Sequence, residues 1–183
     1  PYTTLFRSGV FSRSRISLLP HQLWVCHRAL REWPVRLLIA DDVGLGKTVE
    51  AGLILWPLIA RGVIRRLLIL TPASLVEQWQ FRMRQMFDIR LSIYQPELDQ
   101  GKRDFWNVHQ QVVASLPTMR LDRNDRHERL LDAPGWDMVI IDEAHHLRVE
   151  WWSARGRWRD LWAGFPAWSL SRLAPSFGIS PMP

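Results

Sequence analysis

The sequence predicts an α/β fold, a mainly parallel sheet covered by helices on both faces, and three observations predict it. Short, continuously apolar runs recur along the chain: Leu37-Leu38-Ile39-Ala40, Leu67-Leu68-Ile69-Leu70, Val112-Val113-Ala114 and Met138-Val139-Ile140-Ile141. Such runs read as strands buried on both faces, the habit of parallel sheets. Segments of helical period stand between them. Finally, the first and last runs each end in a polar motif, Asp42-Val43-Gly44-Leu45-Gly46-Lys47-Thr48 and Asp142-Glu143. Ligands on parallel sheets bind at the C-terminal ends of strands, where both motifs fall.

Taken in order, Pro20 opens an amphipathic helix that should stop before Pro34. Residues 36–40 read as the first strand. The helix after Lys47 should end near Trp56, because Pro57 lacks an amide hydrogen and crowds the preceding turn. Residues 66–71 form a second strand closed by Pro72, and 74–87 a helix with Leu75, Trp79, Met83 and Met86 on one face. Residues 90–94 alternate as a short strand, and 95–107 are polar and fit neither period. A strand is expected at 111–115 and a charged surface helix at 117–132. Pro134-Gly135 then turns the chain into the last strand at 137–142.

The two polar motifs belong to one chemistry. A glycine-rich turn between a strand and a helix lets successive backbone N–H groups point into one cavity, and the helix adds its positive end. Gly44 and Gly46 supply the backbone freedom, Lys47 reaches the β- and γ-phosphates, and the Thr48 hydroxyl is placed to ligate magnesium. The general pattern asks for a glycine five residues before Gly46, but Asp41 stands there, which points to a narrower subgroup. Asp142, at a strand end, can hold magnesium through a water, and Glu143 can orient or deprotonate the attacking water. His145-His146 lack the i, i+4 spacing of a helical metal pair, and no cysteine accompanies them, so zinc is not expected.

Composition narrows the partners less than it first suggests. The net charge of the 183 residues is +6, but residues 1–19 contribute +3 and residues 149–183 contribute +2, leaving +1 for 20–148. Global charge is therefore weak evidence for nucleic acid. Cys26 is the sole cysteine, so no internal disulfide forms and a reducing cytoplasm is the expectation. No apolar run reaches the roughly 18 residues of a membrane span, and no secretory signal is visible. Residues 1–8 resemble a translated DNA-sequencing adapter, so residues 1–19 are set aside as a non-native or disordered leader. Five of the 11 tryptophans fall in 149–183 with no helical or strand period. That tail is read as frameshifted or disordered, with a real aromatic, basic binding segment as the other reading. Residues 20–148 form the expected domain.

Ala40-Asp41-Asp42-Val43-Gly44-Leu45-Gly46-Lys47-Thr48-Val49-Glu50-Ala51-Gly52 resembles the first ATP-binding motif of the SWI/SNF-type ATPases of helicase superfamily 2. It looks most like the bacterial RapA-like and DISARM phage-defence branch, which also lacks the early glycine. Asp142-Glu143-Ala144-His145 resembles the second motif of that family, its DEAH box. The resemblance, which covers about residues 18–148, implies a RecA-like first lobe binding ATP and Mg²⁺. It implies a cofactor set of Gln22, Asp42, Val43, Gly44, Leu45, Gly46, Lys47 and Thr48, with Gln22 reading adenine from the upstream Pro20-His21-Gln22 motif. Thr48 and Asp142 would hold the metal, Lys47 and Glu143 would serve catalysis, and His145 would serve coupling. Thr71, Pro72, Gln78 and Trp79 resemble the strand-to-helix motif that contacts the DNA backbone, and Ser115 a later strand-end motif of related role.

The implied parent is a duplex-DNA translocase with no membrane partner, working with defence-system or RNA polymerase partners. The family's Ser/Thr-Ala-Thr coupling motif and second lobe, with its arginine finger, are not found in the chain. It is therefore expected to act as half of a motor, binding ATP–magnesium weakly and hydrolysing it barely. Another superfamily 2 helicase or restriction motor lobe, or a noncatalytic nucleotide-binding fragment, remains open.

Overall fold

Among the described residues, apolar strand sequences and the helices between them assemble into a four-stranded parallel sheet with a packed layer on each side. The computed structural model describes residues 19–31, 35, 37, 39, 46–99, 105–121 and 123–144. The described strands are β1 (Leu67–Thr71), β2 (Ser92–Ile93), β3 (Gln111–Ser115) and β4 (Met138–Ile141), in the order β2-β3-β1-β4. All three pairings are parallel: Leu67 faces Gln111 and Met138, and Ser92 faces Val112. The fold class expected from sequence is thus the observed one.

Alternation along each strand divides the core in two. Leu67, Ile69, Val113 and Met138 pack against α1 (Pro20–Arg31), α2 (Lys47–Ala60) and α3 (Val76–Phe87). Leu68, Leu70, Val112, Ala114 and Val139 pack on the opposite face against α4 (Phe105–Val108), α5 (Leu116–Arg120) and α6 (Arg126–Asp132). Every residue of β1 is buried. Burial of each of its leucine or isoleucine side chains contributes about 1.5–3 kcal/mol. The predicted face of α3 is the buried one: Val76, Trp79, Met83 and Phe87 are buried, with Leu75 and Met86 packed beside them. The predicted strand at 36–40 lies largely outside the described residues, although Val35, Leu37 and Ile39 pack partly buried against the α2 layer.

Three sequence expectations are corrected. Helix α2 does not stop at Trp56 but runs through Pro57 to Ala60. Proline at position 57 removes the amide that would bond the carbonyl four residues back, that of Leu53. The Cys26 thiol of α1 donates to that carbonyl at 3.3 Å, satisfying the acceptor from a neighbouring helix. The helix ends at Ala60, and Gly62 just beyond it is left-handed, with a φ of 69°. There the Gly62 and Val63 amides donate back to the Ile59 and Leu58 carbonyls.

The single helix expected at 117–132 is two. Asn124 and Asp125 are both left-handed, at φ 56° and 54°, a pair that a right-handed helix cannot contain. The buried Arg126 guanidinium donates to the Thr118 and Leu121 carbonyls at the end of α5, so a side chain replaces the missing helical turn. The strand expected at 90–94 shortens to β2. The polar stretch beyond it holds a buried Asp99, which accepts from the Tyr94 hydroxyl at 2.6 Å and the Arg129 guanidinium at 2.7 Å.

Candidate functional site

Strand register brings three of the sequence motifs to one edge. At the C-terminal ends of β3 and β1, Ser115 lies opposite Thr71. On the other side of β1, Leu70 lies opposite Ile141, and the next residue, Asp142, donates its amide to the Leu70 carbonyl at 2.8 Å. Ser115, Thr71 and Asp142 therefore stand in a row across β3, β1 and the end of β4.

Asp142 is the most connected of them. Its Oδ2 accepts the Trp79 indole N–H at 2.8 Å and the Thr71 hydroxyl at 3.3 Å. Its Oδ1 accepts the Glu143 amide at 3.0 Å. Glu143 itself is left-handed, φ 52°, a conformation that costs a non-glycine residue on the order of 1–2 kcal/mol. Such strain persists where the surroundings enforce it and gathers at functional positions. Here the bend lets the Glu143 amide fold back onto the neighbouring carboxylate.

The other group of site residues expected from the sequence stands at the start of α2. Gly46 caps the helix at φ 89°, ψ 33°, and its carbonyl accepts from the Val49 and Glu50 amides. The left-handed backbone favours glycine here, and a Cβ at this position would lie 2.7 Å from Gln22 Nε2, so the amide would have to shift. Gln22 is buried, and its Oε1 accepts the Leu19 amide at 3.1 Å. This is a capping-box contact: the third helical residue reaches back to the cap of α1. The glutamine thus anchors its own helix while standing against Gly46. Lys47 and Thr48, the first two residues of α2, are half-buried. Fully buried Glu50, one turn in, lies 3.8 Å from His21 Nε2. The sequence reading gave Glu50 no role; its one visible signal was a carboxylate directly after the loop on an otherwise apolar helix.

The residues read as nucleic-acid contacts divide. Pro72 is half-buried and Gln78 exposed, its amide beside the Arg82 guanidinium. Thr71 and Trp79 are buried, with their polar atoms on Asp142. Ser115 caps α5, accepting from the Thr118 amide at 3.2 Å. Asp42, Val43, Gly44, Leu45 and His145 lie outside the described residues.

Burial tunes two further groups. The Cys26 thiol is pushed up to about 11 by desolvation. Tyr94 is raised well above the usual phenol range, first by burial and then by its bond to Asp99.

A parallel sheet, with a helix that begins Lys47-Thr48 and a last strand followed by Asp142-Glu143, defines an α/β lobe. Residues 23–156 match the family model described as the SNF2-related domain. Over 137 residues the chain is 42% identical to the RNA polymerase-associated protein RapA of Klebsiella pneumoniae (strain 342), covering 73% of this chain and 14% of that protein. The chain belongs to the SNF2-related domain family. Among solved structures it is similar to the Sulfolobus solfataricus SWI2/SNF2 ATPase core in complex with dsDNA. That match has a TM-score of 0.61 over 84% of this chain and 31% of the other, at 16% identity, and concerns the fold.

Proposed function

We propose that this chain is the ATP-binding lobe of a duplex-DNA-dependent ATPase of the SWI/SNF type. The observation that carries the proposal is the carboxylate of Asp142, held at the C-terminal sheet edge beside a strained Glu143, in a fold whose α2 begins Gly46-Lys47-Thr48. The donor set fits a magnesium–triphosphate group. A left-handed glycine caps the helix, an ammonium and a hydroxyl follow it, and a carboxylate follows the last strand. When bound, magnesium would neutralise charge on the terminal phosphates.

The chain's own residues then have distinct tasks. Lys47 would meet the terminal phosphates, Thr48 and Asp142 would hold the metal, and Glu143 would orient a water and accept its proton. Gln22, already against Gly46, joins α1 to the loop and reads the base. The turn at 72–78, with Ala73, Ser74 and Gln78 exposed, is the part of this edge open to a DNA backbone. Duplex rather than single-stranded substrate is supported by the dsDNA named for the structural relative. The name of the RapA relative supports, more distantly, an RNA polymerase partner.

Steady-state phosphate release by the 183-residue chain, with and without duplex DNA, tests the assignment. Slow release is expected, lost in Lys47→Ala and in Glu143→Gln. Release that survives both substitutions would overturn it.

A further inference from the structure

We infer that Thr71 and Trp79 are positioning residues for Asp142: together they fix one oxygen of its carboxylate so that the other is presented to the metal. The inference deepens the reading of Asp142 as a magnesium ligand and rests on it.

Both donors are inside the protein. Thr71 is 0% and Trp79 3% exposed, so neither side chain can meet a polyanion while α3 stays docked. Both converge on the same oxygen, Oδ2, at 3.3 and 2.8 Å, while the Glu143 amide holds Oδ1 at 3.0 Å. An aspartate has two rotatable bonds, and three donors around its two oxygens leave it one orientation. The bond to an ionised carboxylate is about twice as strong as a neutral one.

The choice of tryptophan carries the argument. The first core layer, where Trp79 packs, needs only a large apolar ring, and phenylalanine would supply one. Only the indole adds an N–H at the ring's edge, and here that N–H reaches the carboxylate across 63 residues of sequence. Groups that hydrogen-bond a metal ligand from behind orient it, and their loss typically costs about 10–100-fold in metal affinity. Thr71 and Trp79 also bracket the turn at 72–78, whose Ala73, Ser74 and Gln78 are exposed. The segment best placed for DNA is therefore fastened at both ends to the same carboxylate.

The test uses the whole 183-residue chain and the variants Trp79→Phe and Thr71→Val, which remove the donors and keep most of the volume. ATP affinity is measured by calorimetry at a series of magnesium concentrations and in EDTA. Trp79→Phe should raise the magnesium concentration for half-maximal enhancement of binding by about 10–100-fold. Thr71→Val should act in the same direction but less, and affinity in EDTA should stay within about twofold. Equal magnesium dependence in wild type and Trp79→Phe would overturn the inference, as would parallel losses with magnesium and in EDTA, which mark a merely structural ring.

A second measurement needs no nucleotide and stays informative if Trp79→Phe does not fold. The indole ¹H–¹⁵N resonance that Thr71→Val perturbs should move upfield in Asp142→Ala. An indole spectrum indifferent to Asp142→Ala would overturn the positioning role by itself. A wild type that binds no ATP, with the indole shift intact, would instead remove the nucleotide reading and leave a structural hydrogen bond.

Discussion

Gly46 shows how a single residue can serve two constraints at once. Its φ of 89° excludes easy replacement, and Gln22 Nε2 stands 2.7 Å from where a Cβ would be. Gly46→Ala is expected to cost about 1–2 kcal/mol for the left-handed backbone, with a larger effect on ATP binding because Gln22 must also move. Thermal unfolding and a nucleotide titration check the two parts separately. Cys26 gives a pH prediction of definite sign. Its thiol, raised from 9.0 to about 11, keeps its proton in the folded state after the unfolded chain has lost it. The contribution of Cys26 to stability should be full below pH 9, fall between about 9 and 11, and level off above. Cys26→Ala should remove that alkaline slope, measured as the difference between the variants' denaturant midpoints across the window. At this scale the sequence was legible in residue type but not in partner. Lys47, Thr48, Asp142 and Glu143 could be named from local motifs. The bond from Trp79 to Asp142 could not, because its two ends meet only once β1 and β4 are paired.

Elements follow the same division. The helices at 20–31 and 76–87 were readable because their apolar period and stop signals are local, and the strands because their apolar runs are short and bounded. The passage of α2 through Pro57 was not, since it depends on a thiol from α1 meeting the Leu53 carbonyl. Nor was the break between α5 and α6, which depends on the buried Arg126 satisfying α5. Close packing of α2 on α3 yields a prediction opposite to helix propensity. Alanine is favoured over glycine in a helix by about 1 kcal/mol. A Cβ on Gly52, however, would lie 2.0 Å from the Phe87 ring, and overpacking of this kind costs about 1–3 kcal/mol. Gly52→Ala should therefore lower the melting temperature, and trimming the ring with Phe87→Leu in the same chain should recover part of the loss. An unchanged or raised melting temperature in Gly52→Ala would show that the helices separate more easily than their packing implies.

The whole molecule places its chemistry where parallel sheets place it, at the C-terminal strand ends. Sequence indicated the parallel sheet and the motifs at strand ends; the order β2-β3-β1-β4, which sets Thr71 between Ser115 and Asp142, emerges only from the assembled sheet. The chain spans 14% of the length of the RapA relative and 31% of the structural neighbour. In the function proposed above, the 183-residue polypeptide would supply the loop, the metal carboxylate and the base. The charge that grows on the transferred phosphoryl group is also met, in the arrangement the family resemblance implies, by an arginine from a second lobe. Such an arginine contributes about 10³–10⁵ in rate. Turnover by this polypeptide should accordingly be slow, and duplex DNA should raise it little.

Binding of ATP–magnesium is the more direct test, because it asks only whether the loop and the strand end form one site. Calorimetric titration of the chain with ATP in excess magnesium should show weak, saturable binding. Lys47→Ala should abolish it, Glu143→Gln should leave it intact, and Asp142→Ala should remove the part that depends on magnesium. Binding that is indifferent to Lys47 and Asp142 would contradict the account.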